Sequence, residues 1–147
     1  MPSTNTSPFV SFHYQTPVPG LRNRTRLKRF IGGIFKKENT AAHSVQFIFC
    51  TDNFLLDINR RFLQHDYYTD IISFNLADKS QSVEGEIYIS IDRVKENAGL
   101  LGLSFNQELH RVIFHGILHF CGYKDKTAAE QAMMRKMEDF YLKKYKP

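Results

Sequence analysis

Cysteine is scarce in this chain of 147 residues, which has only Cys50 and Cys121. A lone pair cannot staple a small fold as a disulfide framework does, and two reduced, buried thiols are the expectation. No uninterrupted apolar run approaches the length that crosses a bilayer, so no membrane partner is implied. The opening MPSTNTSPFVSF lacks a basic stretch followed by an apolar one. No secretory signal is visible there, and a cytoplasmic location is expected. Internal repeats and low-complexity tracts are missing too, and the length suits one domain over residues 1–147.

What the chain does have is an ordinary globular share of apolar residues, 42%, and a net charge of +5. The charge is one-sided, because seven lysines and arginines crowd between Arg22 and Lys37. A polyanion is a natural partner for such a surface, and the solvated face of a helix is the plainer alternative.

Alternation over residues 9–15 predicts a first strand, and apolar spacing from about Arg22 to Glu38 predicts an amphipathic helix, basic outside. SVQFIFCT, residues 44–51, is apolar on both faces, as a central strand is. Asp52 is placed as the N-cap of a helix through Leu63, with Leu55, Ile58 and Phe62 inward. IISFN and GEIYISI are two further strands, joined through a loop at Lys79 to Glu84 and expected to form an antiparallel hairpin. A helix from Asp92 to about Leu101 stops at Gly102. Ser104 with Gln107, and Thr127 with Glu130, are capping boxes that open the last two helices. In the final helix Ala132, Met133, Met137, Phe140 and Tyr141 are expected to face inward. The sum is an α/β (α+β) fold, a mixed sheet of about four strands covered by about five helices, with its strand order open.

The chemistry concentrates in HGILHFCGYKD, residues 115–125. His115 and His119 are four apart, so on a helix both rings leave the same face one turn apart. Gly122 then turns the chain, and Asp125 is in reach of both imidazoles. Two nitrogens and an oxygen would hold a divalent cation and leave a position open for solvent, the pattern of a catalytic site. An amphipathic helix with two hydrogen-bonded histidines is the bland alternative. The spacing resembles that of metzincin-type zinc peptidases, but the glutamate those place after the first histidine is Gly116 here.

Together with INRRFLQHDYYTDIISF at residues 58–74 and GEIYIS at residues 85–90, the ligand stretch resembles the YbeY family of bacterial rRNA maturation factors. That resemblance covers most of the chain. It implies an α/β fold with a zincin-like ligand helix. The implied activity is that of a metal-dependent endoribonuclease acting on single-stranded RNA, in small-subunit 3′-end maturation of ribosomal RNA and in ribosome quality control. Its partners would be ribosomal RNA and the ribosome. Two positions depart from the usual pattern: Asp125 stands where a third histidine is usual, after Lys124 rather than an aspartate, and Leu63 where an arginine is common.

His115, His119 and Asp125 are therefore the expected metal ligands and, through bound water, the catalytic group. Zinc is the cofactor expected first, with another divalent transition metal the alternative. Arg60, Arg61, His65, Lys124 and Lys126 are the expected RNA contacts, with Tyr67 and Tyr68 available to stack on bases. Asp66, Thr69, Asp70 and Ser73 are assigned to turn and strand-end hydrogen bonds. Glu86 is a candidate acceptor for a ligand histidine, or else faces solvent. Two other classes stay open, an RNA-binding assembly factor with a structural metal and a peptidase. The oligomeric state is not legible.

Overall fold

The structure, a computed structural model, describes residues 7–78 and 81–147. Its elements in chain order are β1 (Phe9–Tyr14), α1 (Arg24–Lys37), β2 (Ala42–Cys50), α2 (Asp52–Leu63), β3 (Ile71–Asn75), β4 (Val83–Ser90), α3 (Ile91–Leu101), α4 (Phe105–Phe120) and α5 (Ala128–Tyr145). The four strands form one sheet in the order β1-β2-β4-β3. β1, β2 and β4 run parallel, while β3 pairs antiparallel with β4, with Ile71 opposite Ile89 and Ser73 opposite Ile87. The expected hairpin is therefore present. Of its loop, Lys79 and Ser80 lie outside the described residues, and Val83 and Glu84 already belong to β4.

Because side chains alternate across a strand, β2 and β4 each divide their residues between two faces. Val45, Phe47, Phe49, Ile87 and Ile89 are fully buried on one face, in a core shared with α1 and α4. The opposite face carries Cys50 and Ile72, packed against Leu55 and Ile58 of α2. On that second face burial is complete only toward the C-terminal end of β2, where Ile48 and Cys50 are buried while Gln46 is exposed, which explains the unbroken apolar run from Phe47 to Cys50.

α4 lies between the sheet and α5. Leu109, Ile113, Phe114 and Ile117 on it are wholly buried, and burial of each contributes roughly 1.5–3 kcal/mol. Both capping boxes are formed, Ser104 with Gln107 and Thr127 with Glu130, so the two helices that meet at the ligand stretch each start at a fixed residue.

Three sequence-based assignments need correction. The inward stripe of α5 is Met134, Glu138, Tyr141 and Tyr145, while Met133 is 47% exposed and Ala132 also faces solvent. Phe62 is 67% exposed, with its ring edge to face with that of Phe74 at 6.0 Å between centroids. Asp52 is not an N-cap. Thr51 caps α2, and the Asp52 carboxylate instead accepts from Ser90 at 2.7 Å and pairs with Arg93 at 2.8 Å. None of the described helices is long and apolar enough to cross a membrane.

Candidate metal centre

α4 ends in a Schellman turn. The amide of Tyr123 donates to the carbonyl of Leu118 at 3.1 Å and that of Gly122 to His119 at 3.0 Å, and Gly122 takes the left-handed φ of +101° this requires. The chain thereby doubles back and brings Asp125 over the end of α4. Its Oδ2 lies 3.2 Å from Nε2 of His115 and 3.3 Å from Nε2 of His119. The imidazoles stand edge to face, with centroids 4.7 Å apart. One ligand atom from each of the three residues falls within 4.8 Å of the others, and all three residues are only part-buried. The donor set of two imidazole nitrogens and one carboxylate oxygen fits a divalent transition metal, with one side left open to solvent.

Behind the ligands lies a chain of buried charge. Oε2 of Glu138 is 2.6 Å from Nδ1 of His115, and its Oε1 accepts from Nη1 of Arg111 at 2.9 Å. Arg111 in turn forms a two-pronged pair with Glu108, at 2.8 and 2.5 Å. Glu108 and Glu138 are almost completely buried. Burial works against ionised Glu138, but the contacts with His115 and Arg111 outweigh it and hold the carboxyl below the usual range. Burial also opposes the charge on Arg111, and its two carboxylates overcome that and raise its pKa. An ionised Glu138 only accepts, so Nδ1 of His115 carries the proton and the Nε2 lone pair is left for a cation.

A cavity of about 240 Å³ opens on the ligands, lined by Thr69, Asp70, Ser73 and Arg111 beside the triad. Asp70, assigned to a turn from sequence, is thus a wall of the site. Burial raises its pKa, with His115 and Arg111 pulling the other way. Gly116 faces the sheet rather than the cavity. A Cβ there would meet the Cδ1 atoms of Ile71 and Ile87 at 2.9 Å each, so this helix position has no room for a glutamate.

The expected RNA contacts separate into two groups. Lys124 and Lys126 flank Asp125, are exposed, and form no ion pair among the described residues. Arg60 and Arg61 lie at the end of α2, paired with Asp66 at 2.5 Å and Asp57 at 3.2 Å. His65 stacks on Tyr67 and hydrogen-bonds its hydroxyl at 2.9 Å. None of Arg60, Arg61 and His65 lines the ligand cavity. The buried Asn59 braces this segment, donating to the carbonyl of Tyr67 at 2.9 Å. Glu86 is on the far face of β4, hydrogen-bonded to Tyr88, so orienting a ligand histidine falls to Glu138 instead. Sequence reading missed Glu138, Arg111 and Glu108. Arg111 was detectable, since it stands one turn before His115 on the same face of α4.

A model of the endoribonuclease YbeY family matches residues 14–146. The chain belongs to that family. A YbeY endoribonuclease of Cytophaga hutchinsonii is 50% identical over 122 residues, covering 83% of this chain and 85% of the relative. That of Amoebophilus asiaticus is 42% identical over 143 residues, 97% of this chain and 94% of the relative. Among solved structures, the solution structure of TM1509 from Thermotoga maritima superposes with a TM-score of 0.63 at 26% identity, covering 92% of this chain and 91% of that one. The YbeY match takes in β2 through α5, and with them the ligand triad and the charge chain behind it.

Proposed function

We propose that this chain is a metal-dependent endoribonuclease that cuts single-stranded RNA in the cytoplasm, in small-subunit 3′-end maturation of ribosomal RNA and in ribosome quality control. The observation that carries this reading is the convergence of His115, His119 and Asp125 beside an open cavity, in a chain of the YbeY endoribonuclease family. Zinc suits the donor set, and when bound it supplies a Lewis acid for the phosphodiester and lowers the pKa of water. The protein's own part is to hold the ligands. Glu138 keeps Nε2 of His115 directed at the cation, and the Schellman turn sets Asp125. Lys124 and Lys126, exposed on either side of it, are the candidate contacts for phosphate oxygens, and Arg60, Arg61 and His65, which lie outside the ligand cavity, are the candidates for a more distant part of the strand. Asp70, whose pKa burial raises from the ordinary carboxylate value, lines the cavity beside the ligands and is the candidate for proton exchange there.

The test is cleavage of an unstructured RNA together with elemental analysis, for the wild type and for His115→Ala with His119→Ala. Stoichiometric metal and cutting should disappear together, and full cleavage by the metal-free double variant would falsify the reading. The rival reading as an assembly factor with a structural metal draws on Leu63, a neutral, 40% exposed residue that does not line the cavity. Normal rRNA ends in cells carrying only a metal-site variant would favour it. A peptidase role is disfavoured by the packing at Gly116.

A further inference from the structure

Half of the 20 lysines and arginines fall in two short stretches, seven between Arg22 and Lys37 and three between Lys143 and Lys146, neither of which contains an acid. The remaining chain carries 10 cations against 15 acids, so the basic character of the protein belongs to these two stretches. All ten of these side chains are exposed, and none forms a salt bridge among the described residues. Glu38, the acid at the end of α1, is occupied by the hydroxyls of Tyr123 and Tyr141. Arg24 and Arg26 occupy the first turn of α1, against the helix dipole and with no acid to offset them. This placement works against stability.

The two stretches meet in a groove of about 360 Å³ between α1 and α5. Arg26, Arg29, Lys37 and Lys144 rim it, and Phe30 and Tyr141 give it an apolar floor. Lys37 and Lys144 both lie over the ring of Phe140, at 4.6 and 5.0 Å from its centroid. Loss of solvent, then the neighbouring Lys144, lowers the pKa of Lys37, with Glu38 pulling the other way. Gly33 opens the middle of the groove, since a Cβ there would meet nothing within 4 Å.

Alternating phosphates and flat bases are what such a surface matches. Spaced cations take the phosphates, and an apolar floor takes a base. A lipid surface needs protruding apolar side chains, but no large exposed apolar residue lies on α1 or on the last two turns of α5, and the apolar part is concave. The groove is also tied to the metal centre. Tyr141 of its floor and Tyr123, two residues before Asp125, share the carboxylate of Glu38.

We propose that the α1–α5 groove is a second RNA-binding surface, taking a single-stranded stretch of the substrate outside the cleavage site, with phosphates on Arg26, Arg29, Lys37 and Lys144 and a base on the part-buried ring of Phe30. This rests on the nuclease reading above. The experiment is fluorescence anisotropy with a fluorescein-labelled oligouridylate over a range of KCl concentrations. It compares the wild type, the triple variant Arg29→Gln, Lys37→Gln, Lys144→Gln, and Gly33→Leu, which fills the groove without changing charge and favours the helix. The triple variant should bind at least about tenfold more weakly, and its salt slope should fall by about two, since each phosphate no longer neutralised lowers it by about 0.7. Gly33→Leu should weaken binding with the slope unchanged. Undiminished RNA affinity in either variant overturns the proposal. So does loss of binding to phosphatidylserine vesicles in the triple variant while RNA affinity stays intact. RNA cleavage by the wild type alongside unaltered variants sinks the groove alone. Groove-dependent RNA binding without cleavage by the zinc-loaded wild type sinks the nuclease reading alone.

Discussion

Oε2 of Glu138 lies 2.6 Å from Nδ1 of His115, a contact that joins the middle of α5 to the first metal-ligand candidate on α4. Its partner oxygen is held by Arg111, so the carboxylate cannot turn away from the ring. The contact fixes the tautomer of His115 and the direction of its free lone pair.

Glu138→Gln should therefore weaken zinc binding about 10- to 100-fold. The amide offers one acceptor and one donor group, so it cannot satisfy both Nδ1–H of His115 and Nη1 of Arg111. Competition against a chromophoric chelator measures the affinity, and nitrogen NMR of the imidazole should show the tautomer of His115 becoming mixed. Unchanged affinity would show that the contact is only structural.

Arg111→Ala should cost about 3–5 kcal/mol of folding stability, because Glu108 is then left buried without its cation and Glu138 keeps only His115 and the more distant Arg135, at 3.9 Å. Chemical denaturation reads the difference. Replacing Arg111 and Glu108 together by leucine should cost less than Arg111→Ala, since the stranded charge of Glu108 leaves with the arginine. A loss under about 1 kcal/mol for Arg111→Ala would place this network among the weak surface pairs.

Gly116 separates two outcomes. Gly116→Ala meets only the mobile ends of Ile71 and Ile87, so roughly 1–3 kcal/mol of overpacking is partly offset by about 1 kcal/mol of helix propensity. Gly116→Glu forces a carboxylate into the same apolar contact and should unfold the protein or cost at least about 3 kcal/mol. Circular dichroism melts distinguish the two. A stable Gly116→Glu protein with casein-hydrolysing activity would restore the peptidase alternative.

Burial pushes the thiols of Cys50 and Cys121 up to about 12. Both are free, but only Cys50 is buried as expected, and Cys121 is part-buried; Cys50 should resist Ellman's reagent in the native protein near pH 8 more strongly than Cys121, and both should react fully in guanidinium. For an acid whose folded pKa is raised, the stability it contributes is intact below the unfolded value, about 8.5, and is lost as pH rises from there toward 12. The denaturation midpoint should fall across that window, and less so in Cys50→Ala.

Much of this architecture is legible in the sequence, because local rules decide it. The two capping boxes rest on side chain to backbone contacts and the stop at Gly102 on a left-handed backbone turn, all within a few residues, and they form as expected. The His115–His119 pair with its glycine turn is similarly local. Glu138 is not. An acid in an apolar stripe reads as a gap, and only the approach of Arg111 and His115 from another helix makes its burial tolerable. Spacing alone accordingly puts Tyr141 on the inward side of α5, where it is, but adds Ala132 and Met133, which are exposed, and passes over Met134 and Glu138. Strand order depends on pairing between distant segments, and no residue of β2 announces that β4 will be its neighbour. Asp70 is a turn residue by its neighbours in sequence and a cavity wall by its neighbours in space.

The segment that carries Asp125 is pinned at both ends, by the Schellman bonds at Tyr123 and by the Thr127–Glu130 box that starts α5. So short a span between two anchors has little freedom to surrender when a cation arrives. Preorganisation of this kind makes loading a matter of exchange with water rather than of refolding. The backbone of the ligand turn should then be nearly superimposable before and after the metal is supplied.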